Sequence, residues 1–187
     1  APNRPQHRLN DGKVGPDGAF WVGSMHTQSM TAALYRVTGD GRAERKVEGL
    51  GTSNGLAFSA DGRTLFHSDS KQQWIDRWTL DPATGNISDR TRIATPGDTD
   101  GRPDGAATDV EGCYWSAGVS AGCLNRYDRD GRLLERIAVP PATRAKLEQY
   151  WRLLDDVAGS DVVEKLAALR LRDDLIGVLL GRLLGDV

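Results

Sequence analysis

Three side chains recur at one place in a repeated pattern. Asn10 opens Asn-Asp-Gly, Asn54 opens Asn-Gly-Leu and Asp104 opens Asp-Gly-Ala; each stands seven residues before an acidic residue and eight before the glycine that follows it, at Asp17-Gly18, Asp61-Gly62 and Glu111-Gly112. Carboxylate and amide oxygens are the donors that hard divalent cations prefer. Three of them pointed at one axis would make a site for such a cation. Asn-Gly and Asp-Gly are also common turn pairs, and repeated turns would recur as regularly, so the spacing alone leaves both readings open. His26 and His67 read as solvated or strand-packed imidazoles rather than ligands. No phosphate-binding loop and no His-Glu-x-x-His string is present. Cys113 and Cys123, ten residues apart with no Cys-x-x-Cys spacing, read as two reduced, half-buried thiols.

The elements that must position these residues follow from the same repeat. After each acidic-Gly turn comes a strand, as in Ala19-Phe-Trp-Val-Gly, Arg63-Thr-Leu-Phe-His and Cys113-Tyr-Trp-Ser-Ala. A second strand then ends in a basic residue beside a large one, at Arg36, Arg77 and Arg126, and a further turn leads to an outer strand such as Leu133 to Val139. Repeats begin 44 and 50 residues apart, which matches four short antiparallel strands per unit, the blade of a β-propeller. In that arrangement the innermost strands run beside a central channel, and Asn10, Asn54 and Asp104 occupy equivalent places on them.

Composition divides the 187 residues into two pieces. Residues 1–142 hold nine leucines and eighteen of the 22 glycines, whereas residues 143–187 hold eleven leucines. The first piece therefore reads as all-β, a partial β-propeller of about three four-stranded blades. The second reads as a C-terminal α-helical segment, with Leu147, Tyr150, Trp151 and Leu154 at helical spacing after a capping Thr143, and a second start at Ser160-Asp161. The tryptophans Trp21, Trp74, Trp78, Trp115 and Trp151 are spaced as packing residues, with a sugar-stacking platform at Trp74 or Trp78 as the rarer alternative.

With 24 Lys+Arg against 26 Asp+Glu and a pI near 5.9, no basic footprint points to nucleic acid or an anionic membrane. The longest apolar stretch, Leu175 to Leu184, is interrupted by Gly177, Gly181 and Arg182 and is too short to span a bilayer. A cytoplasmic location is the default expectation, and the opening Ala-Pro-Asn-Arg-Pro reads as a fragment or processed start.

Longer strings carry a resemblance. Arg8-Leu-Asn-Asp-Gly-Lys-Val with Trp21-Val-Gly-Ser-Met25, Ser53-Asn-Gly-Leu-Ala-Phe-Ser-Ala-Asp-Gly with Asp69-Ser70, Asp81-Pro-Ala-Thr-Gly85, and Gly101-Arg-Pro-Asp-Gly with Glu111-Gly-Cys-Tyr-Trp115 resemble, in order and spacing, the gluconolactonase, regucalcin and senescence-marker-protein family of six-bladed propellers. The resemblance covers residues 8 to about 140. It implies that Asn54 and Asp104 ligate a divalent cation (Ca²⁺ or Zn²⁺, with Mn²⁺ or Mg²⁺ as further candidates), and that Asp104 is also the general base. It further implies that Asn10 lies near the metal and helps bind substrate, and that Arg8 binds the polar end of a sugar lactone. The implied chemistry is ring opening, in which a cation polarises the lactone carbonyl and a carboxylate collects a proton from water. The family's further metal ligand, a glutamate in a Glu-Gly-Pro-like context, has no counterpart in these residues, and its second acidic substrate contact falls near Thr27 or Gln28, neither acidic. Non-catalytic calcium binding and an inactive fragment are the competing functions. A six-bladed ring needs twice these blades, and three resolutions stand open: a homodimer that completes the ring, a helical tail that covers the open end, or a truncated chain that folds only in part.

Overall fold

The computed structural model describes residues 7–140; the helices expected over 143–187, and Trp151 with them, lie outside the described residues. Twelve strands follow one another: β1 (His7–Val14), β2 (Phe20–His26), β3 (Ala32–Val37), β4 (Ala43–Leu50), β5 (Ser53–Phe58), β6 (Thr64–Asp69), β7 (Trp74–Asp81), β8 (Asn86–Ala94), β9 (Pro103–Thr108), β10 (Tyr114–Gly118), β11 (Cys123–Tyr127) and β12 (Leu133–Ala138). They form three four-stranded antiparallel sheets, β1–β4, β5–β8 and β9–β12, each in sequence order. Each sheet is thus the meander that the repeat predicts.

Local chemistry explains the meanders. In the turn before β6, the Asp61 carboxylate accepts the Arg63 N–H at 3.0 Å, and the Gly62 N–H donates to the Ser59 carbonyl. Gly62 takes φ 69° there, a conformation that side chains resist. Strand burial follows position in the stack: every residue of β6, in the middle sheet, is buried, while every residue of β12 is exposed.

Two cores lie between the sheets. Trp21, Leu34, Val47 and Leu50 of the first sheet meet Leu56, Leu65, Trp74 and Leu80 of the second. Phe66 and Ile75 of the second meet Tyr114 and Tyr127 of the third, with the Phe66 and Tyr114 rings stacked at 5.0 Å. Each large side chain so buried contributes about 1.5–3 kcal/mol. The three recurring arginines are structural. Arg36 pairs with Asp17 at 2.5 Å and Arg126 with Asp109 at 2.8 Å, and Arg77 reaches from the second sheet to Asp130 of the third at 2.9 Å.

Trp74 and Trp78 are also structural, and offer no sugar platform. Trp74 is buried, and the guanidinium of Arg90 lies over both rings at 5.1 and 5.2 Å while it and Arg92 bond the fully buried Asp76. Cys113 and Cys123 are buried, free thiols, and burial raises the Cys113 thiol above its ordinary range. Among the described residues no helix is long and apolar enough to cross a membrane.

Candidate functional site

The first strand of each sheet carries one of the three recurring side chains, and these strands adjoin, β1 beside β5 and β5 beside β9. None of the three residues lies in a turn. Each sits where the ladder to the second strand slips by one: between Leu9 and Gly12 in β1, between Asn54 and Ala57 in β5, and opposite the Ser116–Gly118 break in β9. Such bulges bend a strand and re-aim its side chains. The repeated Asn/Asp motif is therefore a repeated bulge, and at the β5 copy, where Gly55 takes a positive φ, the bulge accounts for the glycine that follows.

At the β5 bulge Gly55 takes φ 60°, and a Cβ there would lie under 3.0 Å from the hydroxyl oxygens of Ser68 and Tyr114. Tyr114, fully buried, donates its hydroxyl to the Gly55 carbonyl at 2.9 Å. Burial pushes that phenol's pKa up, so it stays a donor. The third sheet thus clamps the backbone beside Asn54.

Asn54 and Asp104 meet across the second and third sheets. Asn54 Nδ2 donates to Asp104 Oδ1 at 2.5 Å and to Ser70 Oγ at 3.0 Å, while Asn54 Oδ1 accepts the Gly55 N–H at 3.0 Å. Asn54 is buried and Asp104 half-buried. Asn10 stands one strand away: its Nδ2 donates to the Ser53 carbonyl at 2.9 Å, and its Oδ1 accepts from Arg8 Nη1 at 3.4 Å. A carbonyl can only accept, so the amino end of Asn10 is fixed toward β5 and its oxygen toward Arg8. Arg8 is exposed. Asp11, beside Asn10, accepts the Leu56 N–H at 3.0 Å and ties the β1 bulge to the β5 bulge.

The donor types suit a hard cation, a carboxylate and an amide oxygen on adjoining strands; the end of Asn54 that meets Asp104 is its amino group, while its oxygen is turned to the Gly55 N–H. Asn54 Oδ1 holds one hydrogen bond and keeps a second lone pair. Among the described residues no three His, Cys, Asp or Glu side chains cluster as a metal site, so any cation here would lean on amide oxygen and on water. Thr27 and Gln28 lie on the exposed β2–β3 connection, where Thr27 offers its carbonyl to Lys71 Nζ at 2.9 Å and the Gln28 N–H donates to His26 Nδ1 at 3.1 Å. His26 Nδ1 also accepts the Ser29 N–H at 2.9 Å.

The repeat hides one further string. Gly51-Thr-Ser53-Asn54-Gly55 has the Gly-x-Ser-x-Gly spacing of a nucleophile elbow, and Ser53 Oγ lies 2.8 Å from His67 Nε2. The pair cannot act as a nucleophile and base on a substrate, because both residues are fully buried and His67 Nδ1 has no hydrogen-bond partner to orient the ring. Ser53 opens a strand rather than the strand-to-helix turn such an elbow requires. Burial holds the His67 imidazole down at about pKa 4, against the raising effect of Asp69 and Asp76.

Three stacked antiparallel sheets with oxygen-bearing side chains on adjoining first strands define a propeller-type protein with a polar inner edge. Comparison with known proteins agrees. Residues 1–146 match the model of the SMP-30/Gluconolactonase/LRE-like region. A 6-deoxy-6-sulfogluconolactonase of Pseudomonas putida is 38% identical over 146 residues, covering 74% of this chain and 49% of that one. A pentonolactonase of Haloferax volcanii is 33% identical over 133 residues, covering 71% and 46%. The crystal structure of a calcium-binding protein, regucalcin, of Agrobacterium tumefaciens superposes with a TM-score of 0.68 at 32% identity, covering 73% of this chain and 47% of that one. The chain belongs to the SMP-30/gluconolactonase/LRE-like family. It spans about half the length of the curated relatives it matches.

Proposed function

We propose that this chain carries the cation- and substrate-binding half of a sugar-lactone hydrolase. The observation that carries the reading is the direct contact of Asn54 and Asp104, brought together from neighbouring sheets by matching bulges. Lactonases among its relatives support the substrate class, and the calcium-binding regucalcin supports a divalent cation, Ca²⁺ ahead of Zn²⁺, Mn²⁺ or Mg²⁺.

In this reading Asn54 and Asp104 hold the cation, which when bound supplies Lewis acidity toward a lactone carbonyl. Asp104 takes a proton from the attacking water, a task suited to a half-buried carboxylate at the edge of the array. Arg8 is exposed and its guanidinium fork suits the hydroxyl and carboxylate oxygens of a sugar acid. Asn10, fixed by the Ser53 carbonyl, keeps its oxygen on the Arg8 side and orients substrate there. Two copies of the three-sheet array would together supply six blades, so a homodimer is the form proposed to be active. Calcium binding without hydrolysis is the second reading, favoured by the likeness to regucalcin.

Calorimetric titration of the chelator-treated chain with Ca²⁺, Zn²⁺ and Mn²⁺, with solution mass measured on the same sample, tests the reading. Saturable binding by a dimer, followed by cation-dependent opening of gluconolactone, is the expected result. Binding without hydrolysis selects the second reading. No binding of any cation overturns both.

A further inference from the structure

The Asp69-Ser70 pair at the end of β6 has no role in the chemistry above, yet Ser70 occupies the seam between Asn54 and Asp104. Its hydroxyl oxygen donates to the Pro103 carbonyl at 2.5 Å and accepts from Asn54 Nδ2 at 3.0 Å. Pro103 immediately precedes Asp104. One atom therefore ties the side chain of one site residue to the backbone of the other, across two sheets.

The tie also has a direction. A serine hydroxyl has one proton, and the Pro103 carbonyl can only accept. That proton is thus committed to Pro103, and Ser70 can offer Asn54 only a lone pair, which selects the amino end of the amide. The Gly55 N–H, a donor only, selects the oxygen at the opposite end. Together they fix which end of Asn54 is which. Ser70 is itself held by its own N–H on the Thr52 carbonyl at 3.0 Å. Beside it the buried Asp69 carboxylate gathers the N–H groups of Gly51, Thr52, Lys71 and Gln72.

We propose that Ser70 is a positioning residue for the cation site: it sets the orientation of the Asn54 amide and the spacing between Asn54 and Asp104. The proposal rests on the cation reading given above. Its action is through Asn54 and Pro103, with no contact to the ligand required.

A second hydroxyl supplies the control. Thr108 Oγ1 donates to the Phe58 carbonyl at 2.7 Å, tying β9 to β5 at the other end of the same strands. Ser70→Ala and Thr108→Val each remove one inter-sheet hydroxyl bond, but only the first touches the site. The whole chain is titrated with CaCl₂ after chelation, for wild type, Ser70→Ala, Ser70→Thr and Thr108→Val, with thermal melting in chelator alongside. Ser70→Ala is expected to bind Ca²⁺ about tenfold more weakly, the scale of one lost hydrogen bond expressed in affinity. Ser70→Thr, which keeps the hydroxyl, restores the affinity. Thr108→Val melts lower, as Ser70→Ala does, but binds as wild type. Equal affinity in wild type and Ser70→Ala overturns the proposal while leaving the cation reading intact, and so does an equal loss in Thr108→Val, which would show only a loosened seam. A wild-type chain that takes up no Ca²⁺ overturns the cation reading and this proposal with it.

Discussion

Gly55→Ala should destabilise the chain and loosen its cation site together. The residue sits at φ 60°, where an L side chain costs about 1–2 kcal/mol. Its Cβ would also press on the Ser68 and Tyr114 hydroxyls and come within 3.0 Å of the Asp104 carbonyl oxygen. Tyr114 cannot retreat, because its ring is fully buried against Phe66 and its hydroxyl bonds the Gly55 carbonyl. Overpacking of this kind costs about 1–3 kcal/mol. The sum, about 2–5 kcal/mol, lowers the melting temperature by roughly 5–20 °C for a chain of this size. The internal control is Gly105→Ala, at the glycine that follows Asp104: nothing lies within 4 Å of a Cβ there, so its melting temperature should stay within about 2 °C of wild type. Differential scanning calorimetry in chelator, then Ca²⁺ titration of each variant, reads both effects. A Gly55→Ala chain that melts and binds like wild type would refute the clamp, and with it the idea that the β5 bulge aims Asn54.

Asp104→Ala should abolish cation-dependent opening of gluconolactone while the far-ultraviolet circular dichroism of the sheets persists; unchanged turnover would remove Asp104 from the chemistry. Arg8→Ala, at an exposed side chain bonded only within β1 in the contacts described, should raise KM by roughly tenfold with kcat little altered, and steady-state kinetics in which kcat alone falls would argue against a binding role. His67 predicts a pH dependence. Burial lowers its pKa from 6.5 to about 4, so between those values the unfolded chain binds more protons than the folded one and stability rises with pH. The contribution is complete above about pH 6.5 and is lost as pH falls toward 4. Melting temperatures of His67→Gln should therefore fall less steeply than those of wild type across that window, and parallel curves would show that His67 is not what titrates.

The β architecture was legible because it rests on local signals. Asp-Gly turns, strand-length runs and a 44-to-50-residue repeat specify meanders without knowledge of distant contacts. The packing role of four tryptophans was legible for the same reason; for His67 the sequence left a solvated and a strand-packed imidazole open, and full burial decides for the second. The bulges were not. A slip in register depends on what the neighbouring strand does, and Asn54-Gly55 looks the same in a turn as in a bulged strand until β6 is laid beside it. Nor could the sequence reveal that Ser70 stands between Asn54 and Pro103, residues sixteen behind it and 33 ahead. The Ser53–His67 bond misleads in the opposite sense: its spacing and distance resemble catalysis, and only full burial and the unpartnered Nδ1 remove it.

The bulges also explain why the site belongs to the assembly of sheets rather than to any one of them. A regular first strand would direct alternate side chains to the two faces of its sheet, into the neighbouring blades. The slip turns these residues along the row of first strands instead, where bonds cross from sheet to sheet: Asn10 to Ser53 and Asp11 to Leu56 between the first and second, Asn54 to Asp104 between the second and third. These bonds join the same edge that a cation would occupy. In the reading proposed here, the contact that holds Asn54 against Asp104 without a cation is the one a cation must compete with. The supports behind it, Ser70 and the Gly55–Tyr114 clamp, therefore determine how much of the site's order survives that exchange, and affinity becomes a property of the seam between sheets two and three as much as of the two side chains that face it.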